Sequence, residues 1–536
     1  MGTNTGPILI LKEGTRREKG KDAQYNNIMV ARTIADTLKT TLGPRGMDKM
    51  LVTPIGDVTI TNDGVTILKD IEVQHPVAKM LVEVAKTLDQ ECGDGTTTAV
   101  LLTGELLKKA QELIDADVHP TVIARGFSMA SSKALEVLED IARPIDPDDR
   151  KELLDIARTS MMSKAIVGVR DHLATIAVDA VKAVTERRDG RTVVDLDNIN
   201  IVKKQGGSVE DTMLIKGMVV DKGPEHVIMP KRVENASIAL ITTALEVKKT
   251  EVEAKIEITD PSQMHAFLEE EEREQRELVN AILKAGANVV ICQKGIGDEA
   301  KHVLSKAGVF ALQKVKESDM EKLSRACGAN LVGDPRHIEP ADLGHASLVE
   351  AKKLEGDEMT FITGCRNPRS VTILIRGGTE HVVSETERSL DDALNVVRVA
   401  TEDGKMITGA GAAAMEISMR LKEYASKVSG REQLVINAFA ASLESIPATL
   451  AENAGLDKVD ILIQLRQAHA NGMVDAGVNV FDGKVEDMRK KYVLEPIRVG
   501  RQVISSAADA ATMIIRIDDV IASKGAEPSP PSKGED

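Results

Sequence analysis

Residues 91–100, ECGDGTTTAV, place a single aspartate, Asp94, between two glycines and directly before three threonines. Glycine on both sides weakens a helix or a strand, so the chain is expected to turn at this point. The flanking residues, VAKMLVEVAKTLDQE before the turn and TTTAVLLTGELLKKAQELI after it, carry apolar residues at helical spacing. The stretch therefore predicts a tight turn that opens a helix.

The start of such a helix is suited to binding an anion, because its first N–H groups have no partner within the helix. An acid at the same place would repel a bare phosphate, so Asp94 indicates a metal ion between its carboxylate and the anion. This interpretation predicts a phosphate–Mg²⁺ site. The alternative is a glycine-rich helix cap in which Asp94 is an ordinary capping acid, and the segment considered alone favours it.

The composition excludes several classes of protein. A chain of 536 residues is too long for one core, and about three domains are expected. The net charge of −15, the aromatic content of 2% and the absence of tryptophan argue against nucleic-acid binding. Four widely spaced cysteines indicate neither disulfides nor zinc. The N-terminus shows no signal sequence and the chain no long uninterrupted apolar run, so a soluble cytoplasmic protein with no membrane partner is expected.

The pattern of apolar residues changes along the chain. Residues 21–145 are mostly helical in pattern, interrupted at 51–67 by an alternation typical of two short strands around a Pro-Gly turn. From about residue 217, short apolar runs alternate with helical stretches, which predicts a βαβ-type layered domain. Helical patterns return after the strand at 369–376. Two helical ends thus flank an α/β middle, and the tail at 524–536 is expected to be disordered.

One helix in the middle has no apolar face over much of its length. It is predicted to begin at Asp260 and Pro261, and its residues 269–277 carry no apolar side chain, so they cannot lie on a core. The helix is either a solvated linker or a projection from the domain body. In the second case Met264, Phe267 and Leu268 at its far end would be exposed and available to a partner.

Several other motifs are weak when taken one at a time. They are TLGPRG at 41–46, TNDG at 61–64, LDDAL at 390–394, TGAGAAAME at 408–416 and GVNVFDG at 477–483. Capping and turn roles are the default interpretation of each. The chain contains neither GxxxxGK[ST] nor GxGxxG, so any bound ATP would need a scaffold other than the P-loop.

Together, and in this order, the motifs form a specific set. The segments TLGPRGMDKML, TNDGVTIL, GDGTTTAV, ERSLDDALNV, NAGLDKVDIL, GVNVFDG and EPIRVGRQ closely resemble the group II chaperonins, specifically the archaeal thermosome, over residues 8 to about 522. The resemblance implies a multidomain α+β fold. Its parts are a mostly helical equatorial ATPase domain from both chain ends (1–146 and 404–523), a small α/β intermediate domain (147–216 and 369–403) and an α/β apical substrate-binding domain (217–368) with a helical protrusion at about 248–277.

The same resemblance implies an ATP-dependent chaperone. Its subunits form a double ring of about 16–18 copies, homomeric or mixed with related subunits, that encloses unfolded proteins. Hydrolysis of Mg-ATP drives the cycle. The protrusion acts as a built-in lid, so no separate lid protein is expected.

The resemblance also assigns roles to individual residues. Asp94 binds Mg²⁺, and Asp63 and Asp392 position and activate the attacking water, with Asp392 preferred to Asp391 because the family's acid directly precedes Ala-Leu. The remaining residues contact the nucleotide: Gly95, Thr96, Thr97 and Thr98 at the phosphates; Thr41, Leu42, Gly43 and Pro44 from the other side; Gly409 and Gly411 at the base and ribose; Asn479 and Val480 at the adenine; Glu495 at the ribose; and Lys164 as a sensor of the γ-phosphate.

The sequence departs from the family's pattern at two positions, and two rival functions remain. Ala410 and Ala414 stand where the family usually has glycine and glutamate, and the methyl group of Ala410 is expected to crowd the nucleotide slightly. One rival is a scaffold protein that keeps the ring and has lost hydrolysis, against which the retention of all three acids argues. The other is a nucleotide-binding enzyme with a small-molecule substrate, for which the α/β middle offers no second catalytic constellation.

Overall fold

The computed structural model describes residues 16–53, 56, 58–71, 73–163, 167–246, 261–365 and 369–522. The chain divides into two compact units. Unit 1 comprises Met1–Ile145, Met162–Lys164 and Asp403–Asp536, and unit 2 comprises Asp146–Met161 and Ala165–Glu402. Both ends of the chain therefore belong to unit 1. The finer division into three domains stays a prediction.

The N-terminal part of unit 1 is mostly helical. Its helices are α1 (Lys21–Lys39), α2 (Gly64–Asp70), α3 (Pro76–Cys92), α4 (Thr96–Asp115) and α5 (Pro120–Ile141), and its strands are β1 (Arg16–Lys19), β2 (Lys49–Val52), β3 (Val58–Thr61) and β4 (Arg143–Pro144). Helices α3 and α5 each begin with proline, whose fixed φ suits the first helical position. Strands β2 and β3 form an antiparallel hairpin in which Met50 lies opposite Ile60.

The hairpin confirms the strand prediction only as far as Thr61. Residues 64–67, which the alternating pattern assigned to a strand, are the first turn of α2 instead. The reason is local, because the Asp63 side chain accepts a hydrogen bond from the Thr66 backbone N–H and caps the helix.

Unit 2 holds the α/β part of the chain. Its helices are α6 (Arg150–Ser160), α7 (Arg170–Val184), α8 (Pro261–Lys284), α9 (Asp298–Lys306), α10 (Glu317–Cys327) and α11 (Glu380–Asp403, whose last residue belongs to unit 1). Its strands are β5 (Thr185–Arg188), β6 (Arg191–Val194), β7 (Ile199–Gln205), β8 (Met213–Ile215), β9 (Gly217–Val220), β10 (Arg232–Ile241), β11 (Val289–Cys292), β12 (Phe310–Leu312), β13 (Leu331–Val332), β14 (Gly344–Leu354), β15 (Asp357–Cys365) and β16 (Val371–Gly377).

The main sheet of unit 2 has the order β12-β11-β10-β14-β15-β9, and β13 also pairs with β10. Strands β10, β11 and β12 are parallel, with α8 and α9 between them in sequence, which confirms the predicted βαβ arrangement. Alternate residues of β11 belong to different core clusters, Val289 and Ile291 to one and Val290 and Cys292 to the other. Both faces of the sheet are therefore covered, as expected for parallel strands. A second sheet has the order β7-β16-β8.

The C-terminal part returns to unit 1. It contains β17 (Lys405–Thr408), α12 (Ala412–Ala425), α13 (Glu432–Leu443), α14 (Ser445–Asn453), α15 (Lys458–Ala470), β18 (Ala476–Asn479), β19 (Lys484–Asp487), β20 (Leu494–Pro496), α16 (Ile497–Ile515) and β21 (Asp519–Ala522). Strand β21 pairs with β1, and β17 lies between β20 and β4. The two chain ends are thus joined by sheet pairing as well as by helix packing.

Residues 432–453, which span α13 and α14, are long and apolar enough to cross a membrane by length and composition alone. However, 61% of that apolar window is buried inside the protein. The Phe439 ring, for example, packs edge-on against Phe127 at 5.8 Å between centroids. This is the packing of a core helix.

Helix α8 begins at Pro261, as the sequence predicts. Residues 247–260 and the side chains of Met264, Phe267 and Leu268 lie outside the described part of the structure. Between Glu269 and Glu277, the described side chains are exposed except for Gln275, which is half-buried. The side-chain amide oxygen of Gln275 accepts from the Ala300 N–H at 3.3 Å, and Arg276 pairs with Glu299 at 2.6 Å. Glu274 also lies 3.8 Å from Arg336, so the helix contacts the body from Glu274 onward, slightly earlier than the apolar pattern alone suggests.

Candidate functional site

The turn between α3 and α4 confirms the prediction made for residues 91–100. Gly93 and Gly95 both have left-handed backbone conformations, with φ of 71° and 82°. Gly95 also lies close to α16, since a Cβ atom there would be 2.9 Å from methyl groups of Val499 and Val503. Asp94 is half-buried between the glycines, and its Oδ1 accepts from the Gly95 N–H at 2.6 Å. Its carboxylate is thus held directly before the N-terminus of a 20-residue helix.

The N-terminus of α2 meets the N-terminus of α4. A Cβ atom on Gly64 would lie 2.7 Å from the Thr97 hydroxyl oxygen and 3.3 Å from the Thr96 hydroxyl oxygen. The preceding residue, Asp63, caps α2 by accepting from the Thr66 N–H at 2.9 Å and from the Thr66 hydroxyl at 2.7 Å. The N-termini of α2 and α4, together with Asp63, therefore lie in one region of unit 1.

A second carboxylate faces this region from the C-terminal part of the chain. Glu495 lies on β20 opposite Ile407 of β17, and a Cβ atom on Gly409 would be 2.4 Å from its Oε1. Burial and the charge of Asp94 together raise the pKa of Glu495 to about 7. Asp94 and Glu495 therefore repel each other, and a cation placed near them would relieve the repulsion.

The raised pKa of Glu495, caused first by burial and then by the charge of Asp94, predicts a stabilising substitution. Because a carboxyl group with a raised pKa binds more protons in the folded state, the free energy of unfolding falls as pH rises from about 4.5 to about 7 and stays lowered above. Glu495→Gln should therefore stabilise the nucleotide-free protein at pH 8, by about 1–3 kcal/mol, and have little effect at pH 4.5. Thermal unfolding in the presence of a chelator at the two pH values measures this.

Glu444→Gln is the matched control for that experiment. Burial opposes the charge of Glu444, but hydrogen bonds from Arg466 and Lys422 hold its pKa below the usual value. Its replacement should destabilise the protein at pH 8, opposite in sign to Glu495→Gln. An unchanged or lowered unfolding temperature for Glu495→Gln at pH 8 would contradict the raised pKa of Glu495.

The predicted turn at Thr41–Pro44 is built by contacts from α14. The Thr41 hydroxyl donates to the Leu38 carbonyl at 2.8 Å, and Gly43 has a φ of 80° and packs against the Leu450 side chain. The Asn453 amide donates to the carbonyl oxygens of Lys39 and Leu42 at 3.0 and 2.9 Å. The role of Asn453 was missed from the sequence, although it lies in one of the characteristic motifs, because its partners are distant in the chain.

The loop Gly409–Gly411 connects β17 to α12. Ala410 and Gly411 both have left-handed conformations, with φ of 54° and 77°. The methyl group of Ala410 faces Gly477 of β18, where a Cβ atom would be 3.3 Å away, and the Ala410 carbonyl accepts from the Val478 N–H at 3.0 Å. Gly477 thus leaves room for the alanine, and the expected crowding of a nucleotide by Ala410 stays a prediction.

The two predicted adenine contacts have clear structural roles. The Asn479 amide donates to Asp482 at 2.8 Å and to Glu486 at 2.6 Å, and its oxygen accepts from the N–H groups of Phe481 and Asp482. The side chain therefore shapes the turn between β18 and β19. Val480 is buried in a cluster that Leu42 also contacts. Their contact with adenine stays a prediction.

The two remaining predicted residues are Asp392 and Lys164. Asp392 is half-buried on α11 of unit 2. Lys164 lies outside the described residues. Unit 1 therefore brings together the residues assigned to Mg²⁺, the phosphates and the ribose, while the roles of Asp392 and Lys164 stay predictions.

The acids in unit 1 suit a magnesium ion shared with a phosphate. Over the described ranges, no group of three or more His, Cys, Asp or Glu side chains could hold a metal ion. Mg²⁺ needs no such cage, because proteins usually hold it with one or two carboxylates, substrate phosphates and water. The four cysteines are free and buried, and burial raises the pKa of Cys292 to about 11, so that thiol stays protonated. Asp94 with Glu495 nearby fits the ion that the sequence predicts.

The fold and this arrangement belong to a known class of protein. A family model described as the TCP-1/cpn60 chaperonin family matches residues 34–525, and the chain belongs to this family. It is 56% identical to thermosome subunit alpha of Archaeoglobus fulgidus over 529 residues, which cover 99% of this chain and 97% of that protein. It is also 56% identical to the thermosome subunit of Methanopyrus kandleri over 517 residues (96% and 95%) and to that of Pyrococcus horikoshii over 521 residues (97% and 95%). The resemblance inferred from the motifs is confirmed.

Proposed function

We propose that this chain is a subunit of an ATP-driven chaperonin of the group II type. In this proposal it binds Mg-ATP in unit 1, hydrolyses it, and uses the cycle to enclose unfolded proteins in a double ring and promote their folding. Family membership supports the chaperone role. The observation that carries the nucleotide site is the convergence of Asp94, Glu495 and the N-terminus of α4 in one region of unit 1.

Different residues of this region bind different parts of the nucleotide. The first-turn N–H groups and hydroxyls of Thr96, Thr97 and Thr98, with Gly95, receive the phosphates, since helix N-termini favour anions. The turn Thr41–Pro44 contacts the nucleotide from the other side, Gly409, Gly411 and Glu495 contact the base and ribose, and Asn479 and Val480 line the adenine side. When bound, Mg²⁺ neutralises phosphate charge and is held by Asp94.

Hydrolysis depends on the placement of a water molecule rather than on covalent chemistry by the protein. Asp63 directly precedes Gly64, which packs against the first turn of α4, and its carboxylate is already oriented by Thr66, so it is suited to hold such a water. Asp392 is the second acid of the pair, and Lys164 senses the γ-phosphate. In this proposal the subunit has three domains with the boundaries given above, and the segment at about 248–277 is its lid. The protein acts in the cytoplasm.

Assembly into rings is supported by the exposed hairpin β2–β3. Its apolar side chains are unusually exposed for their size, with 66% of Met50, 64% of Val52 and 46% of Ile60 accessible. An isolated two-stranded hairpin offers unpaired backbone at its edges. We propose that it pairs with β1 and β21 of a neighbouring subunit. Two relatives from Archaeoglobus fulgidus are named thermosome subunit alpha and thermosome subunit beta. The proposal therefore includes rings of mixed subunits as well as homomeric rings.

Ile60→Pro is expected to break the rings. Proline removes a backbone donor that strand pairing needs, and this loss is repeated at each interface of the ring. Light scattering should show monomers or incomplete rings, while circular dichroism shows a largely folded subunit. Ile60→Val keeps the β-branched side chain and serves as the control that still assembles. Intact double rings in the proline variant would count against this interface.

An ATPase assay with and without an unfolded protein tests the function as a whole. The proposal expects hydrolysis that requires Mg²⁺, a double ring by native mass measurement, and recovery of folded client that depends on ATP. A ring without hydrolysis would favour the scaffold alternative. Hydrolysis without a ring or any effect on the client would favour an enzyme with a small-molecule substrate.

A further inference from the structure

The segment 469–476 connects α15 to β18 and contacts both flanks of the loop Gly409–Gly411. On one side, Thr408 is the last residue of β17, and its hydroxyl donates to Asp475 Oδ1 at 2.7 Å. On the other side, Glu416 of α12 lies with its Oε2 2.7 Å from Nδ1 of His469. The two chain segments that enter and leave the loop are therefore tied to one short stretch of chain.

His469 makes this tie in the interior of unit 1. Its side chain has no accessible surface, and its Nε2 lies 2.9 Å from the carbonyl oxygen of Ala476, the first residue of β18. Both ring nitrogens thus face acceptors, and both contacts are hydrogen bonds when each nitrogen carries a hydrogen. A hydrogen bond from His469, with a second from Arg420 at 2.8 Å, holds the pKa of Glu416 below its usual value. The imidazole of His469 therefore links α12 to β18.

Asp475 extends the connection to β4. Its second oxygen accepts from Arg143 at 2.7 Å, so one carboxylate joins β17, β4 and the start of β18. The loop needs such support, because Ala410 has a left-handed conformation that L-residues disfavour. The middle of the loop is joined to β18 by the hydrogen bond from the Val478 N–H to the Ala410 carbonyl.

We infer that His469 and Asp475 are positioning residues for the nucleotide, which hold the Gly409–Gly411 loop and the β18–β19 turn together as one wall of the site. The inference rests on the proposed function, since it concerns the base and ribose side of that site. ATP and ADP share the base and ribose, whereas hydrolysis depends on the acids at the phosphates. Loosening this wall should therefore weaken the binding of ATP and of ADP alike and leave the chemical step of hydrolysis unaffected.

The test uses the assembled full-length protein with His469→Gln, Asp475→Asn and the double variant. Calorimetry with Mg-ADP and steady-state ATP hydrolysis should show Kd and KM raised roughly tenfold in each single variant, with kcat within about twofold of wild type. Because both ties act on one loop, the double variant should lose less affinity than the product of the single losses. Asp475→Asn keeps the test informative if the buried histidine variant fails to fold.

Glu444→Gln is the matched control, because Glu444 joins α12 and α15 through Lys422 and Arg466 without contacting the loop. It should lower the unfolding temperature and leave Kd for Mg-ADP unchanged. The inference is overturned if wild type binds Mg-ADP and the folded variants bind it equally well, or if Glu444→Gln raises Kd as much as they do. If wild type binds neither nucleotide, the proposed function itself fails, and this inference fails with it.

Discussion

Asp392→Ala is expected to lower the rate of ATP hydrolysis by about 10²- to 10⁴-fold while leaving the binding of Mg-ATP nearly intact. The reason is that an acid which positions and activates water contributes to the transition state and little to the ground state. Asp94→Ala should behave differently and weaken nucleotide binding itself, because the phosphates lose the carboxylate that holds their bridging cation. Calorimetric binding of Mg-ATP and steady-state hydrolysis by the same preparations separate the two effects.

Asp391→Ala is the matched control for the first substitution. Asp391 precedes Asp392 on α11 and its side chain is exposed, whereas that of Asp392 is half-buried. Turnover close to wild type in the Asp391 variant and a large loss in the Asp392 variant would support the assignment. Normal turnover in Asp392→Ala would refute it, and equal losses in both variants would point to a general disturbance of the helix.

Replacing residues 248–271 by a short Gly-Ser link is expected to abolish the enclosure of client protein while assembly and ATP hydrolysis continue. The link stops at residue 271 so that the contacts of Gln275 and Arg276 with Ala300 and Glu299 are kept. Within the replaced segment the described side chains, Glu269 and Glu270, are exposed, so their removal takes nothing from the core of unit 2. The measurement is the resistance of bound client to added protease in the presence of ATP.

The expected size of this effect follows from the apolar residues Met264, Phe267 and Leu268. If they meet the protrusions of neighbouring subunits on closure, each buried side chain contributes about 1.5–3 kcal/mol. Three per subunit contribute about 4.5–9 kcal/mol. Summed over the subunits of a ring, this exceeds the roughly 5.5 kcal/mol that moves a two-state equilibrium from 1:99 to 99:1. Changing these three residues to serine should therefore reproduce the deletion, whereas Glu269→Gln with Glu270→Gln should not. Client that stays protected from protease in the deletion variant would show that this segment is not a lid.

The sequence was sufficient wherever a short-range physical rule decides the structure. The turn around Asp94, the start of α8 at Pro261 and the parallel strands β10 to β12 all follow from glycine conformation, helix capping or apolar periodicity within a few residues. The family also followed from the order of several motifs. The error at residues 64–67 is also local. The alternating pattern there predicted a strand, but Asp63 caps a helix that begins at Gly64.

What the tertiary structure alone decided is which distant residues share a site. The repulsion between Asp94 and Glu495, the support of the Leu42 turn by Asn453, and the link from Glu416 through His469 to Ala476 join parts of the chain far apart in sequence. Each depends on helices and strands of unit 1 that come together only when their apolar faces are buried in two hydrophobic clusters. Local patterns specify which face of a helix is apolar, but packing chooses the partner, and so only the folded protein shows that Asn453 supports a turn 411 residues earlier in the chain.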